Sequence, residues 1–336
     1  MPQDYKVFAG SDALITGGLG FIGSALARRL VGLGARVTLV DSLIPEYGGN
    51  WFNIHDIRDQ LRVEQIDVRD AAAMTALVQK RDFLFNLAGQ TSHLDSMTDP
   101  LTDLNINTTA QLSILEACRQ QNRGIKIVFA STRQIYGRPQ YLPVDEKHPL
   151  DPVDVNGINK LAGEMHHLLY HRVHGIRACA LRLTNTYGPG MRVKDDRQTF
   201  LGIWIRRLIE GQPIQIFGDG AQQRDFNFVD DAVDALLLAA SSSAADGEVF
   251  NLGHGERVSL RQLAEMLVQA NDGAGEFRLV PFPPDRRAID IGDYYGDIAK
   301  IERALRWTPK VRLAQGLAAT LDYYKAHRAH YWGDSP

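Results

Sequence analysis

Three glycines at spacings of three residues constrain the fold of this chain more than any other feature. Gly17, Gly20 and Gly23 follow a short apolar run at 12–16, and apolar residues at helical spacing come next. A second apolar run then ends at Asp41. Glycine suits this turn because the turn is tight, its backbone approaches a pyrophosphate, and the helix packs close to the strand. The pattern predicts a strand–turn–helix–strand unit that binds a dinucleotide at the helix N-terminus.

The acidic residue at the end of the second run predicts which dinucleotide binds. The Asp41 carboxylate can accept hydrogen bonds from ribose hydroxyls and would repel a 2′-phosphate. No basic residue follows it until beyond Gly49. Both observations favour NAD over NADP.

Strand-like and helical segments continue to alternate after this unit. Apolar runs at 61–66, 83–89 and 125–130 are separated by helical patterns. This alternation predicts a doubly wound parallel sheet, a Rossmann α/β fold. We assign residues 1–184 to an NAD-binding domain. Residues 185–336 are expected to form mainly a smaller α/β substrate-binding lobe, with a segment at about 220–255 returning to the first domain.

Composition excludes several classes of function. The formal net charge of −3 gives no reason to expect nucleic acid or an anionic membrane as partner. Cys118 and Cys179 lie in apolar runs and are interpreted as reduced core residues. No apolar run approaches the roughly 18 residues of a membrane span. We therefore predict a cytoplasmic protein without a membrane partner.

The order of motifs along residues 12–325 resembles the extended short-chain dehydrogenase/reductase family, the NAD-dependent epimerases and dehydratases of nucleotide sugars. The motifs that carry the resemblance are Thr16-Gly-Gly-Leu-Gly-Phe-Ile-Gly23, Asp67-Val68, Asn86-Leu-Ala-Gly89, Asn107, Ser131-Thr132, Tyr136-Gly137, Lys160, Asn185, Tyr187-Gly-Pro189 and the segment from Arg224 to Asp231. Two short segments, 87–96 and 131–137, are most similar to the branch that contains CDP-tyvelose 2-epimerase.

The resemblance implies a set of NAD-binding residues, among them adenine contacts and a lysine for the nicotinamide ribose. These residues are Gly17, Gly20, Phe21, Ile22, Gly23, Asp41, Ser42, Asp67, Val68, Leu87, Ala88, Gly89, Asn107 and Lys160.

The resemblance also implies how a nucleotide-diphosphate sugar would be held. Thr132 matches the hydroxyl that bonds the sugar oxygen being oxidised, and the charge of Lys160 biases nearby pKa values. Arginine suits the diphosphate because its planar fork donates two parallel hydrogen bonds. The expected substrate-binding residues are Gln90, Ser92, Thr132, Asn185, Arg192, Arg224 and Arg287. Lys194 and Arg197, close to Arg192, either meet the phosphates as well or belong to a solvated loop.

One residue departs from the family at the centre of its chemistry. The family has a tyrosine four residues before the lysine, and here that place is held by Asn156. An amide does not accept a proton at physiological pH. Three explanations stay open. Another group is the base, with Tyr136, His93, Tyr187 or a bound water as candidates; or the chemistry differs and Asn156 binds substrate; or the protein binds its ligands with little turnover.

Two further departures bear on the reaction and on the substrate. The 4,6-dehydratases of the family carry an acidic pair after the threonine, where this chain has Arg133 and Gln134, so that reaction is not favoured. The segment 290–293 has an aspartate where the family has an arginine that meets the diphosphate. Arg286 or Arg287 is expected to take that task. His167 and His171 are four residues apart, but no metal site is predicted because no further ligand is placed to complete one.

The sequence thus predicts an epimerase of a nucleotide-diphosphate sugar that works by transient hydride transfer to bound NAD. Its proposed catalytic residues are Thr132, Asn156, Lys160, Tyr136 and His93. The alternatives are a weakly active or inactive binding protein, and a dehydratase or decarboxylase. The resemblance implies a homodimer that pairs through the helices at about 99–120 and 157–174.

Overall fold

The computed structural model describes residues 5–195 and 199–332. The strands are β1 (Asp12–Thr16), β2 (Arg36–Val40), β3 (Arg62–Glu64), β4 (Phe83–Asn86), β5 (Lys126–Thr132), β6 (Arg177–Leu183), β7 (Asn185–Tyr187), β8 (Ile214–Phe217), β9 (Gln223–Phe228), β10 (Val249–Leu252), β11 (Arg257–Ser259) and β12 (Phe277–Val280). The α-helices are α1 (Phe21–Gly32), α2 (Ala71–Leu77), α3 (His93–Thr98), α4 (Pro100–Leu104), α5 (Ala110–Gln121), α6 (Val155–His174), α7 (Phe200–Ile209), α8 (Val229–Ser241), α9 (Leu260–Ala270), α10 (Pro284–Ala288), α11 (Ala299–Leu305) and α12 (Leu313–His327).

A seven-stranded sheet in the order β10-β6-β5-β4-β1-β2-β3 forms the centre of the described residues. All its strand pairs are parallel. The chain leaves β1 toward β2 and β3, then returns to the other side of β1 with β4. This reversal opens a crevice at the carboxyl ends of β1 and β4, where such sheets bind ligands. The predicted doubly wound parallel α/β fold is confirmed.

Both faces of this sheet are covered by helices, which explains why its strands are apolar on both sides. Alternate residues of β1 enter different parts of the core. Ala13 and Ile15 pack on the side of α1 and α8, whereas Leu14 packs on the side of α2 and α5. These three side chains are fully buried.

The second half of the chain builds a smaller lobe and also completes the large sheet. β11, β9 and β7 form a three-stranded sheet, and β8 pairs with β12. β10 instead pairs with β6, and α8 packs against α1. A capping box starts α9, in which Ser259 and Gln262 each accept a hydrogen bond from the other's backbone N–H group. The division at residues 184 and 185 stays a prediction.

The helix predicted over about 99–120 is interrupted. Asp99 caps α4 by accepting a hydrogen bond from Thr102 N at 3.1 Å. One π-helical turn, Asn105–Thr109, then joins α4 to α5. Such a turn holds an extra residue and is frequent at functional sites. It places Asn107 in the interior.

Candidate functional site

A cavity of about 580 Å³ runs along the carboxyl edge of the large sheet. Residues that follow β1, β2, β4, β5 and β6 line one wall, and residues from α7, β8, β9 and α10 line the other. The cavity therefore joins the predicted dinucleotide site to the predicted sugar site.

At the dinucleotide end the backbone itself forms the wall. Gly17 has φ +69°, and a Cβ on it would lie 3.1 Å from the backbone of Ala88. A Cβ on Gly23 would lie 2.2 Å from Gly17 O, where no atom fits. The α1 N-terminus has no side-chain cap, so its first N–H groups and positive dipole end are available to a pyrophosphate.

Asp41 sits where a ribose would lie. Its two carboxylate oxygens accept hydrogen bonds from Leu19 N at 3.0 Å and Leu43 N at 2.9 Å. Burial raises the pKa of Asp41, and these two bonds oppose that rise. Ser42, Asp67 and Val68 line the cavity as well, and their assignment to the adenosine end stays a prediction.

Asn107 and Lys160 flank Gly89, which lines the cavity. A Cβ on Gly89 would lie 2.9 Å from Asn107 Oδ1 and 3.4 Å from Lys160 Nζ, so a side chain there would meet both. Asn107 Nδ2 donates to Gln90 O at 2.9 Å, while its buried Oδ1 has no partner among the described residues. Leu87 and Ala88 line the same wall. The glycine cradle, Asp41 and this unpartnered oxygen all fit a bound dinucleotide.

Lys160 is a buried amine that faces the cavity. Its Nζ donates to Ala130 O at 2.6 Å and lies 4.6 Å from the centre of the Phe129 ring. Burial lowers the pKa of Lys160 to about 8, and the negative charges of Asp103 and Glu164 oppose that shift. A nearby anion or polar ligand would favour the charged form.

Thr132 ends β5 and lines the cavity with Lys160. Its Oγ1 accepts a hydrogen bond from Gln134 N at 3.2 Å and so caps the short turn that follows. A hydroxyl that accepts this bond can still donate its proton to a substrate oxygen.

Asn156 lines the cavity, but its amide nitrogen is committed to the protein. Nδ2 donates to Gln90 O at 2.7 Å and to Asp103 Oδ2 at 2.9 Å. The other Asp103 oxygen accepts from Asn159 Nδ2 at 2.8 Å. Both of these partners are acceptors, so they identify which end of the Asn156 amide is the nitrogen. The amide oxygen therefore points away from them. Asn156 therefore secures a buried carboxylate and offers the site no group that accepts a proton.

His93 and Asp154 meet at the same end of the cavity. His93 Nδ1 lies 2.9 Å from Asp154 Oδ2, and the histidine side chain is 36% exposed. Despite this distance, His93 Nδ1 makes no regular hydrogen bond within the described residues. Asp154 also accepts from Gln134 Nε2 at 2.9 Å and from Gly157 N at 2.6 Å, which caps α6. Burial alone would raise the pKa of Asp154, but the contact with His93 and these bonds hold it below its usual range.

The position of Tyr136 does not support the prediction that its hydroxyl is the proton acceptor. It is fully buried and lies outside the cavity lining. Its hydroxyl donates to Asn251 Oδ1 at 2.6 Å and accepts from Arg182 Nη1 at 2.7 Å. Burial raises its pKa far above the usual range, although Arg182 opposes the shift. The alternative Tyr187 is also buried away from the cavity, with its hydroxyl on Leu313 O.

The predicted arginines have different positions. Arg224 lines the cavity and donates to the carbonyls of Gln223 and Gly292. Arg192 lines it too and pairs with Asp195 at 2.5 Å.

Arg287 is exposed and outside the lining, so its assignment to the substrate is corrected to its neighbour Arg286. The two differ because successive residues of a helix point about 100° apart. Arg197 lies outside the described residues.

Of three predicted polar contacts, two do not line the cavity and one does. Gln90 and Ser92 are buried beside the cavity and do not line it. Ser92 caps α3 by accepting from Asp95 N, and Gln90 Nε2 donates to Ser92 O. Asn185 does line the cavity, and its Nδ2 donates to Asp225 O.

Sequence reasoning missed Asp103 and Asp154. The signal for Asp154 was its position just before a helix, where an aspartate caps the N-terminus. Its contact with His93, far away in sequence, has no local signal.

Neither a metal cluster nor a membrane span is found in the part of the chain that the structure describes. No three ligating side chains converge there, and no helix there is long and apolar enough to cross a bilayer.

Comparison with known proteins identifies the family. Residues 13–253 match the model of the NAD dependent epimerase/dehydratase family. The UDP-glucose 4-epimerase of Mycolicibacterium smegmatis is 31% identical over 315 residues, which cover 93% of this chain and 98% of that protein. The dTDP-glucose 4,6-dehydratase of Streptomyces niveus is 30% identical over 328 residues, 95% of this chain and 94% of that protein.

Solved structures agree. The Thermotoga maritima UDP-glucose 4-epimerase, solved with UDP-glucose, superimposes with a TM-score of 0.87 at 30% identity, covering 94% of this chain and 99% of that one. Other matching epimerases and dehydratases were solved with NAD, and nucleotide-sugar decarboxylases also match in sequence. The chain belongs to the NAD-dependent epimerase/dehydratase family of nucleotide-sugar enzymes, and its cofactor is NAD.

Proposed function

We propose that this protein epimerises a nucleotide-diphosphate sugar. The observation that carries the proposal is the continuous cavity in which the glycine cradle leads to Thr132 and Lys160. Bound NAD supplies a reversible hydride acceptor. A dehydratase of the 4,6 type is less well supported, because Arg133 and Gln134 stand where an acid and a base are needed.

Thr132 and Lys160 would orient the sugar and stabilise negative charge on its oxygen. The Thr132 hydroxyl donates to the oxygen of the reacting carbon. The Lys160 side chain is buried, so the charge of its ammonium acts more strongly than it would in water.

His93 is the proposed proton acceptor. It is the imidazole that lines the cavity within the described residues, and it is linked to the reacting end through contacts already described: Thr132 to Gln134, Gln134 to Asp154, Asp154 to His93. If Nδ1 carries the ring proton and directs it at Asp154, Nε2 is unprotonated and can accept a proton from the substrate. Asp154 would then act as a positioning residue.

The first experiment is turnover of purified protein on UDP-, GDP-, CDP- and dTDP-sugars, with NMR to follow configuration and absorbance to follow NADH. We expect an epimerised product without net consumption of NAD. Absence of both product and transient NADH across the panel contradicts the proposal.

The second experiment tests the acceptor. We expect His93→Gln to lower kcat by about 10²- to 10⁴-fold with bound NAD unchanged, as for loss of a general base. Asp154→Asn should lower kcat less and Asp154→Glu should recover part of it. His166→Gln, on α6 and outside the cavity lining, is the matched control. Full activity in His93→Gln excludes His93 as the acceptor.

A second candidate function is binding of NAD and a nucleotide sugar without turnover, and Asn156 favours it. Asn156→Tyr separates the two candidates. Turnover that appears only in the variant supports the binding protein, whereas loss of an existing activity shows that Asn156 belongs to a working site.

We also propose that two copies pair. Ile158, Met165 and Val173 form an exposed apolar stripe along α6, and Met97 and Leu101 continue it on the adjacent helices. An exposed apolar stripe of this kind marks an interaction surface. Light scattering should show a dimer that Leu101→Asp with Met165→Asp converts to a monomer. Leu279→Asp, on β12 in the other lobe, should leave the dimer intact.

A further inference from the structure

Arg133 is a cation in the cavity wall that forms no ion pair among the described residues. It directly follows Thr132 and lines the cavity. Its Nη2 donates to Asn185 Oδ1 at 3.2 Å, and the guanidinium lies 5.1 Å from the Tyr294 ring centre. Its Nη1 has no partner among the described residues.

No carboxylate of the described residues forms an ion pair with Arg133. Burial lowers the pKa of Arg133, and the negative charges of Asp225, Asp290 and Asp154 oppose that shift from longer range. Asp225 is occupied by Thr184 Oγ1 and Gly296 N, and Asp290 accepts from Gln222 Nε2. Asp154 is occupied by the contacts that cap α6. A desolvated cation without a close partner is unfavourable. A bound anion would remove that penalty.

The neighbouring Arg224 shows the contrast. Burial lowers the pKa of Arg224 to about 10. The positive charge of Arg133 contributes to this shift, and the negative charge of Asp290 opposes it. Arg224 nevertheless donates to two backbone carbonyls and to Gln222 Oε1, and it lies 3.8 Å from Asp290. The two arginines thus line one cavity. Among the described residues, Arg224 has several hydrogen-bond acceptors, whereas Arg133 has none for its Nη1.

We propose that Arg133 binds an acidic group on the sugar itself, so that the preferred substrate is a nucleotide-diphosphate sugar with a carboxylate, such as a uronic acid. This inference rests on the proposed function and names its substrate class. Arg133 is adjacent to Thr132, which addresses the reacting oxygen. Both residues line the cavity, so an acidic group of the sugar can reach Arg133 while Thr132 holds the reacting oxygen. A carboxylate on the neighbouring ring carbon meets this requirement, and a guanidinium binds it with two parallel hydrogen bonds.

The diphosphate is the other anion of such a substrate, and binding measurements separate the two. Calorimetry on the NAD-bound protein compares UDP, UDP-glucose and UDP-glucuronate, which share the base and the diphosphate. We expect UDP-glucuronate to bind at least tenfold more tightly than UDP-glucose. Arg133→Gln should weaken UDP-glucuronate by about 10- to 100-fold, the loss typical of a hydrogen-bonded charge, and the other two ligands by less than threefold.

Arg224→Gln is the comparison variant and should weaken all three ligands alike. Melting temperature and bound NAD report whether each variant folds. Equal weakening of the three ligands by Arg133→Gln assigns that arginine to the diphosphate and overturns the proposal. The proposal is also overturned if the wild-type protein binds UDP-glucuronate no more tightly than UDP-glucose. Because calorimetry does not require turnover, these outcomes are independent of whether epimerisation is detected.

Discussion

The two ends of the cavity are built from different material. At the cofactor end, backbone atoms form the wall, and glycines are required because a Cβ would strike main-chain atoms. At the sugar end, charged and amide side chains form the wall, and they are held by hydrogen bonds to other side chains and to backbone carbonyls. Backbone cannot be exchanged residue by residue, whereas a side-chain network can. Asn156 illustrates such a network, since its side chain donates to Asp103 and to the Gln90 carbonyl.

The strongest test of this difference is Gly23→Ala. The added Cβ would lie 2.2 Å from Gly17 O, which belongs to the backbone and has little room to move. We expect NAD affinity to fall at least about 100-fold, with a loss of unfolding free energy of about 1–3 kcal/mol from overpacking. Bound NAD after purification and thermal melting measure the two effects.

Gly32→Ala in the same helix is the control. A Cβ there meets nothing within 4 Å, so the change should be neutral or slightly stabilising. If Gly23→Ala binds NAD as tightly as the wild type does, the cofactor end tolerates an added side chain. The difference between the two ends of the cavity then does not hold.

The next effect concerns Lys160, which borders both ends. Its pKa is about 8 in the folded protein and 10.5 unperturbed, so between these values the unfolded chain holds the extra proton. Stability from this group therefore rises with pH across that window, by on the order of 3 kcal/mol in total. Urea unfolding of NAD-free protein should show that raising the pH from 7.5 to 10.5 increases the unfolding free energy of the wild type relative to that of Lys160→Met. A difference that is constant with pH contradicts this.

A smaller effect tests the network at the sugar end. Asn156→Ala removes donors from Gln90 O and from the buried Asp103 carboxylate, which should cost about 1–3 kcal/mol of unfolding free energy. Asn159→Ala removes the other donor of Asp103 from outside the cavity and should cost a similar amount. Denaturant titration measures both. Negligible loss in Asn156→Ala would show that this residue is not part of the support.

The smallest effect on turnover is expected for Tyr136→Phe. Loss of its hydroxyl leaves Arg182 and Asn251 one bond short and should cost about 1–2 kcal/mol of stability. We expect kcat to change by less than about threefold. A collapse of kcat with NAD retained would return Tyr136 to the list of proton acceptors.

The same contrast explains how much the sequence predicted. The glycine turn, the acid after β2 and the alternation of elements are local patterns, and they led to the fold and to NAD. Residues at strand ends, such as Thr132, were also predictable because strand order brings them to one edge.

The remaining errors come from orientation and distance along the chain. Arg286 and Arg287 differ by one step of a five-residue helix, and the sequence does not say which of them faces inward. The meeting of Asp154 with His93, and of Asp103 with Asn156, depends on how α3 and α4 pack against α6. Side-chain networks of this kind have no periodicity that sequence reasoning can detect.

Because a π-helical turn joins α4 to α5, the way these helices face depends on the exact number of residues in that turn. Within it Ala110 N bonds Asn105 O, and the side chain of Gln111 donates to the Ile106 carbonyl at 3.0 Å. Deleting one residue from 105–109 would restore regular helix and turn everything before it by about 100° relative to α5. Asn107 would then leave its place behind Gly89, and Leu101 would leave the apolar stripe. A natural relative that lacks one residue here would therefore need a different way of making both surfaces.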